Sequence, residues 1–192
     1  MTDFKEFPKI ARLNRDVIIT EKIDGTNASI FISEDLVEFR AASRTRWVTP
    51  ENDNYGFARW ACEHETELRT LGPGFHYGEW WGGGIQRGYG LERGEKRFSL
   101  FNVGRWSDPA VRPACCGIVP EIARGPFMGP AIPAALARLA QTGSLAAPGF
   151  MRPEGIIVFT TAGSHLFKVT LEGDEESKEA RILREAWAAR NK

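Results

Sequence analysis

The chain has 192 residues and a mass of 21.4 kDa, the size of one domain. Hydrophobic residues make up 42% and charged residues 26%, a balance that excludes a disordered chain. The 25 basic residues match 25 acidic ones, which argues against a protein that coats polyanions by bulk charge. No apolar run approaches the roughly 18 residues of a membrane span, and Met1-Thr2-Asp3 does not open a signal peptide. Cys62, Cys115 and Cys116 cannot build a disulfide framework, and His64, His76 and His165 have no ligand spacing. A reduced, cytoplasmic setting is the expectation.

In chain order, Val17 to Thr20 is a predicted strand ending at Glu21-Lys22. Ala28 to Ile32 is its continuation or antiparallel partner, with Asp24-Gly25 as the turn, and Val37 to Ala41 is a third strand. The spacing of Phe57, Trp60, Ala61, His64 and Leu68 predicts a helix over 54–68, capped by Asn54 or Asp53. Short β-type runs follow at 75–81, 98–103, 155–160 and 165–170, punctuated by glycine-rich turns. Helices are expected over 132–141 and 174–189, the latter with acids in its first turn. Phe57 and Trp60 are expected in the core and Cys115-Cys116 in a loop. Many short strands and few helices predict an α+β fold, mostly antiparallel, in a single domain over 1–192. No glycine-rich loop follows a strand and opens a helix, so P-loop and dinucleotide-binding folds are disfavoured.

Seven of the 25 basic residues are lysine, so a lysine stands out where arginine would serve for charge alone. Lys22 ends a hydrophobic strand and opens the run Lys22-Ile23-Asp24-Gly25-Thr26-Asn27. Desolvation or a nearby cation can free a lysine amine for nucleophilic attack, which arginine cannot do. Gly25 lets the backbone turn closely under a ligand, and Asp24 and Asn27 offer oxygens to a metal shell or a ribose. The same residues also fit a solvated lysine beside an ordinary Asp-Gly turn.

This run resembles motif I, Lys-x-Asp-Gly, of the covalent nucleotidyltransferases: ATP-dependent RNA and DNA ligases and capping enzymes. Asn27, two residues after the glycine, is typical of the RNA-ligase branch. Further runs resemble the remaining motifs in order: Ser43-Arg44-Thr45, His76-Tyr77-Gly78-Glu79-Trp80, Phe98-Ser99-Leu100-Phe101-Asn102, Pro153-Glu154-Gly155-Ile156-Ile157-Val158 and Leu166-Phe167-Lys168-Val169-Thr170. Gly84-Ile85-Gln86-Arg87 is similar to the run after motif III in RNA ligase 2-type enzymes. Taken singly, Glu79 is a strand glutamate, Phe101 a core aromatic, Glu154-Gly155 a turn and Arg44 a solvated strand edge. Their ordered coincidence with Lys22 is what carries the resemblance, over residues 17 to 170.

The resemblance implies a nucleotidyltransferase (ATP-grasp-like) domain of two mainly antiparallel sheets flanked by helices around a nucleotide groove. It implies an ATP-dependent RNA ligase that joins RNA 3′-hydroxyl and 5′-phosphate ends through a lysyl-AMP intermediate. Lys22 would be the nucleophile and Lys168 the second catalytic residue. The nucleotide would be bound by Glu21, Lys22, Asn27, Arg44, Glu79, Phe101, Glu154 and Lys168. In these roles Arg44 meets the phosphates, Glu79 the ribose hydroxyls and Phe101 the adenine face. Mg²⁺ or Mn²⁺ would be held by Glu154 and Asp24.

Two features depart from the family pattern. Thr170 stands where a second motif V lysine is usual, so Lys168, Arg152, Lys178 or metal would neutralise the phosphates. The chain also ends about twenty residues after motif V, so no accessory domain is expected, and a separate RNA-binding partner would replace it. A small DNA ligase is an alternative that Asn27 opposes, and a GTP-using capping enzyme is opposed on the same ground. A non-catalytic ATP- or RNA-end-binding module is the alternative that Thr170 favours. The neutral net charge divides into a basic groove and an acidic tail from Glu172 to Glu179, with Arg40, Arg44 and Arg46 unbroken by an acid. RNA affinity should therefore be modest and strongly salt-dependent.

Overall fold

A computed structural model describes residues 4–173. Among them, ten strands and four α-helices follow one another as β1 (Asp16–Lys22), β2 (Thr26–Ile32), β3 (Phe39–Ser43), β4 (Trp47–Val48), α1 (Phe57–Glu63), α2 (Glu65–Leu68), β5 (Gly74–Gly82), β6 (Lys96–Leu100), α3 (Val103–Trp106), β7 (Cys116–Ile118), β8 (Glu121–Pro126), α4 (Ala131–Thr142), β9 (Gly155–Thr160) and β10 (His165–Thr170). They build a four-stranded sheet in the order β10-β9-β1-β8 and a six-stranded sheet in the order β4-β3-β2-β5-β6-β7. Every pairing is antiparallel except β6 with β7. The expected helix over 174–189 lies outside the described residues.

Each sheet buries one face under helices, as two-layer packing requires. Ile30, Ile32, Trp80 and Phe98 of the larger sheet pack on Phe57, Ala61 and Leu68 of α1 and α2. Val17, Ile19, Ile156 and Val158 of the smaller sheet pack on Ala135 and Leu139 of α4. A third cluster, Ile23, Trp81, Tyr89, Val103, Val119 and Ala147, joins the two halves. The remaining faces of the two sheets line a groove.

The Asp24-Gly25 turn does not close a hairpin. β1 is already paired on both edges, with β8 and β9, so β2 enters the other sheet between β3 and β5. The amide of Asp24 donates to the Tyr89 hydroxyl at 2.8 Å and that of Gly25 to Glu79 Oε1 at 3.0 Å, bonds that hold the crossing in place of a hairpin ladder. Glycine is required there because a Cβ would overlap the Trp80 carbonyl oxygen and lie 2.7 Å from the Trp81 Cβ.

The expected long helix breaks at His64, where φ is −109°. Its start is held by Asp53, whose carboxylate accepts from the amides of Ala58 and Arg59, while Asn54 turns away to Thr26. The strand expected over 98–103 stops at Leu100, and Asn102 Oδ1 accepts from the Arg105 amide to begin α3. Cys116 lies buried in β7 rather than in a loop. β8 escapes a sequence reading because Ile122 is its one buried residue, so a run of alternating apolar side chains is absent.

Candidate active site

The C-terminal end of β1 carries the site. Ile18, Thr20 and Lys22 alternate toward the groove, a cavity of about 710 Å³ that also takes in Asn27, Tyr77, Glu79 and Phe101. Four of the residues expected at a nucleotide site, Lys22, Asn27, Glu79 and Phe101, therefore meet in one groove, although they come from both sheets.

Lys22 Nζ lies 2.5 Å from Glu154 Oε2, with side chains 23% and 19% exposed. Register explains the meeting: Lys22 pairs with Gly155, the first residue of β9, so Glu154 arrives beside the lysine. Gly155 in turn pairs with Thr170, which places Thr170 in the same cross-strand row as Lys22 with no side chain between them. A Cβ at Gly155 would lie 2.7 Å from the Thr170 Cα, so the close approach of β10 needs glycine.

Glu79 is 8% exposed and pairs with Asn27 across β5 and β2. Burial pushes its pKa up to about 7; the Gly25 amide and Lys22 oppose the rise, and the charges of Glu154 and Asp24 add to it. Phe101 is 37% exposed at the bend after β6, where it lines the groove. Its amide donates to the Tyr77 carbonyl at 3.0 Å, fixing the bend.

The other expected residues stand differently. Glu21 points away from Lys22 and is 1% exposed. Its carboxylate accepts from Ser144 Oγ at 2.6 Å and from the amides of Leu145 and Ala146 at 2.8 and 2.9 Å. The side chain thus anchors the 144–146 segment, and what Glu21 presents to the groove is backbone. Lys168 pairs with Ile157, a groove residue, which puts it on the groove face of β10, but it is exposed and outside the lining. Arg44 is exposed in the turn between β3 and β4, also outside the lining.

Asp24 and Glu154 are each engaged by a basic side chain. Asp24 Oδ2 accepts from Arg87 Nε at 3.0 Å, while Glu154 holds Lys22. Among the described residues no three His, Cys, Asp or Glu side chains gather as metal ligands. Glu154, beside the groove residue Lys22, and Asp24, close to Lys22 in the chain, still fit a Mg²⁺-type ion, which keeps waters and takes most remaining oxygens from substrate phosphates.

Two residues beyond the expected set hold the site together. Arg87 Nη1 donates to the carbonyls of Arg152 and Pro153 at 3.0 and 3.3 Å, tying Asp24 to the approach of β9. Tyr89 receives the Asp24 amide, with φ +52° between Gly88 and Gly90. Burial pushes its hydroxyl pKa well above the usual phenol range. The signal in the sequence was the run Gly84 to Gly90 itself, dense in glycine yet carrying an arginine and a tyrosine.

Comparison with known proteins agrees with this architecture. A model of the RNA ligase family matches residues 15–170. The chain belongs to the RNA ligase family. Solved structures of Naegleria gruberi RNA ligase are similar in fold. A lysine-to-alanine mutant with ATP and Mn superposes with TM-score 0.60 at 18% identity, over 82% of this chain and 49% of that one. An aspartate-to-alanine mutant without ligand gives 0.61 at 19%, over 82% and 50%. A glutamate-to-alanine mutant with AMP and Mn gives 0.60 at 17%, over 82% and 50%. The chain thus spans about half the length of these solved proteins. No curated protein matches closely enough in sequence to be counted as a relative. None of the described helices is long and apolar enough to cross a membrane.

Proposed function

We propose that this domain is an ATP-dependent RNA ligase working through a lysyl-AMP intermediate. The observation that carries the reading is Lys22 at the groove end, 2.5 Å from Glu154, with Glu79, Asn27 and Phe101 along the same groove. ATP-bound and AMP-bound Naegleria structures of the same fold support a nucleotide there.

Lys22 Nζ attacks the α-phosphorus of ATP; the N–P bond forms and pyrophosphate leaves. The AMP then passes to an RNA 5′-phosphate, releasing the lysine, and a 3′-hydroxyl displaces AMP to seal the strand. For the first step the ammonium must lose a proton, because free lysine titrates near pH 10.4. Glu154 is the carboxylate in contact with it. Ionised Glu79 accepts from ribose hydroxyls, and the Phe101 face stacks on the base, an interaction worth about 1–3 kcal/mol. Glu154, with Asp24 nearby, would hold a divalent ion, Mg²⁺ or Mn²⁺, which would supply positive charge against the ammonium and the phosphates. Arg44 and Lys168, both exposed outside the groove lining, would meet the phosphate tail. RNA ends, nicked or broken, are the second substrate.

The test is intact mass after incubation with Mg²⁺ and either ATP or GTP. An increment of one AMP appears with ATP, is absent in Lys22→Ala and is reversed by pyrophosphate. No increment under any divalent metal would overturn the enzyme reading in favour of a binding module, the reading that Thr170 keeps open. Sealing of nicks with RNA or DNA at the 3′-hydroxyl side separates an RNA ligase from a DNA ligase.

A further inference from the structure

The groove wall of the larger sheet includes Tyr77 and Phe75, and the face continues past them. Along β5, Glu79, Tyr77 and Phe75 follow one another on that face, two residues apart. Phe75 pairs with Phe31, and Phe31 with Arg40. Ring centroids of Phe75 and Tyr77 lie 5.7 Å apart with planes at 10°, those of Phe31 and Phe75 4.7 Å apart, and those of Trp47 and Phe31 5.8 Å apart. Four rings thus run outward from the groove toward the β3–β4 turn. Trp47 is 38% exposed, Phe75 46% and Tyr77 54%, a large apolar surface to leave in water.

The charge around this strip is basic. The Arg40 guanidinium lies 3.9 Å over the Trp47 ring and donates to Glu38 at 3.3 Å through Nη1, one of several donors it carries. Arg44 and Arg46 stand in the adjoining turn. Exposed rings in series, flanked by arginine and continuous with a nucleotide groove, match the chemistry of a single strand: bases stack on rings and phosphates meet arginine.

We propose that the strip Trp47, Phe31, Phe75 and Tyr77, with Arg40, is a track for single-stranded RNA that leads a strand end toward Lys22. The proposal rests on the ligase reading for what happens at Lys22, but not for the binding itself. Rings suit any base, so the track is indifferent to sequence. Arg40 supplies the salt-dependent part of the affinity.

The test is fluorescence anisotropy of a 3′-labelled oligouridine on the full chain without ATP. Trp47→Ala weakens binding about tenfold, within the loss expected for one stacked base. Arg40→Glu weakens binding and flattens its salt dependence. RNA affinity unchanged in Trp47→Ala overturns the track. Should Trp47→Ala fail to fold, Arg40→Glu alters only an exposed side chain, and an unchanged affinity and salt slope there overturns it equally. A dimer in sedimentation that Trp47→Ala dissolves, with RNA affinity intact, assigns the strip to a second copy instead. Wild-type chain that binds oligouridine but forms no lysyl-AMP with ATP overturns the ligase reading and leaves the track standing.

Discussion

Lys22 Nζ and Glu154 Oε2 sit 2.5 Å apart although 132 residues separate them in the chain. The contact exists because β9 is laid antiparallel to β1 with Gly155 opposite Lys22. Replacing Glu154 with alanine should therefore free the lysine without disturbing the sheet. Lysyl-AMP formation, followed by intact mass in time, is expected to slow by roughly 10²-fold or more, the scale of a lost proton-transfer or cation partner. A Glu154→Ala rate equal to wild type would remove the carboxylate from the reaction.

The raised pKa of Glu79 makes a pH prediction with two opposite signs. Its value is about 7 in the fold against an ordinary 4.5. The folded carboxyl thus holds a proton between those values that the unfolded one has lost, so its contribution to stability is complete below about pH 4.5 and is lost as pH rises through about 7. Nucleotide binding runs the other way, because only the ionised form accepts two hydroxyls. ATP affinity is expected to strengthen between about pH 6 and pH 8, and Glu79→Gln to flatten both slopes. Calorimetric titrations and melts across that range check both.

Glu21 is buried as an anion-shaped anchor with three donors on it. The Leu145 and Ala146 amides share Oε2 while Ser144 Oγ donates to Oε1, so Glu21→Gln turns its amide nitrogen either on the two amides or on the Ser144 hydroxyl. A loss of about 2–3 kcal/mol in folding stability is expected, as for hydrogen bonds to a charged group. Ser144→Ala removes one donor and should cost about half as much, measured by chemical denaturation. Equal stability of all three proteins would mean that the segment relaxes freely.

Gly25→Ala inserts a methyl against the Trp80 carbonyl and the Trp81 Cβ. The expected result is a loss of about 1–3 kcal/mol together with slower lysyl-AMP formation, since the crossing that aims Lys22 has to shift. A thermal melt and the mass assay report the two effects separately.

Thr170 shares a cross-strand row with Lys22 through Gly155. Thr170→Lys would put an ammonium on the groove side of that row. Faster lysyl-AMP formation is the expected outcome, by roughly tenfold if one more fixed charge meets the transferring phosphoryl group. An unchanged rate would show that the phosphates already have their partners.

Much of this site is written in short linear runs, which is why it was legible. Lys22 with Asn27, Glu79, Phe101 and Glu154 each lie in a few adjacent residues with a recognisable pattern. Sheet membership was not legible, because β1 and β2 look like a hairpin until the partners of β1 are known. The same limit hid the destination of Glu21: nothing beside it in the chain hints at Ser144, 123 residues later. Arg87 and Tyr89 escaped because most of their partners are backbone groups, which have no sequence signature, and because Asp24, which Arg87 pairs with, lies 63 residues away. Lys168 and Arg44 fall outside the groove lining, a matter of side-chain reach that strand patterns do not carry.

The passage of the chain from one sheet to the other has a consequence for how sequences of this kind can vary. Four residues separate Lys22 on one wall from Asn27 on the other. Like a spacer between two plates, their number sets the gap. A residue added or removed there would change the width of the cleft itself, whereas the loops at the far ends of the same strands can lengthen without altering it.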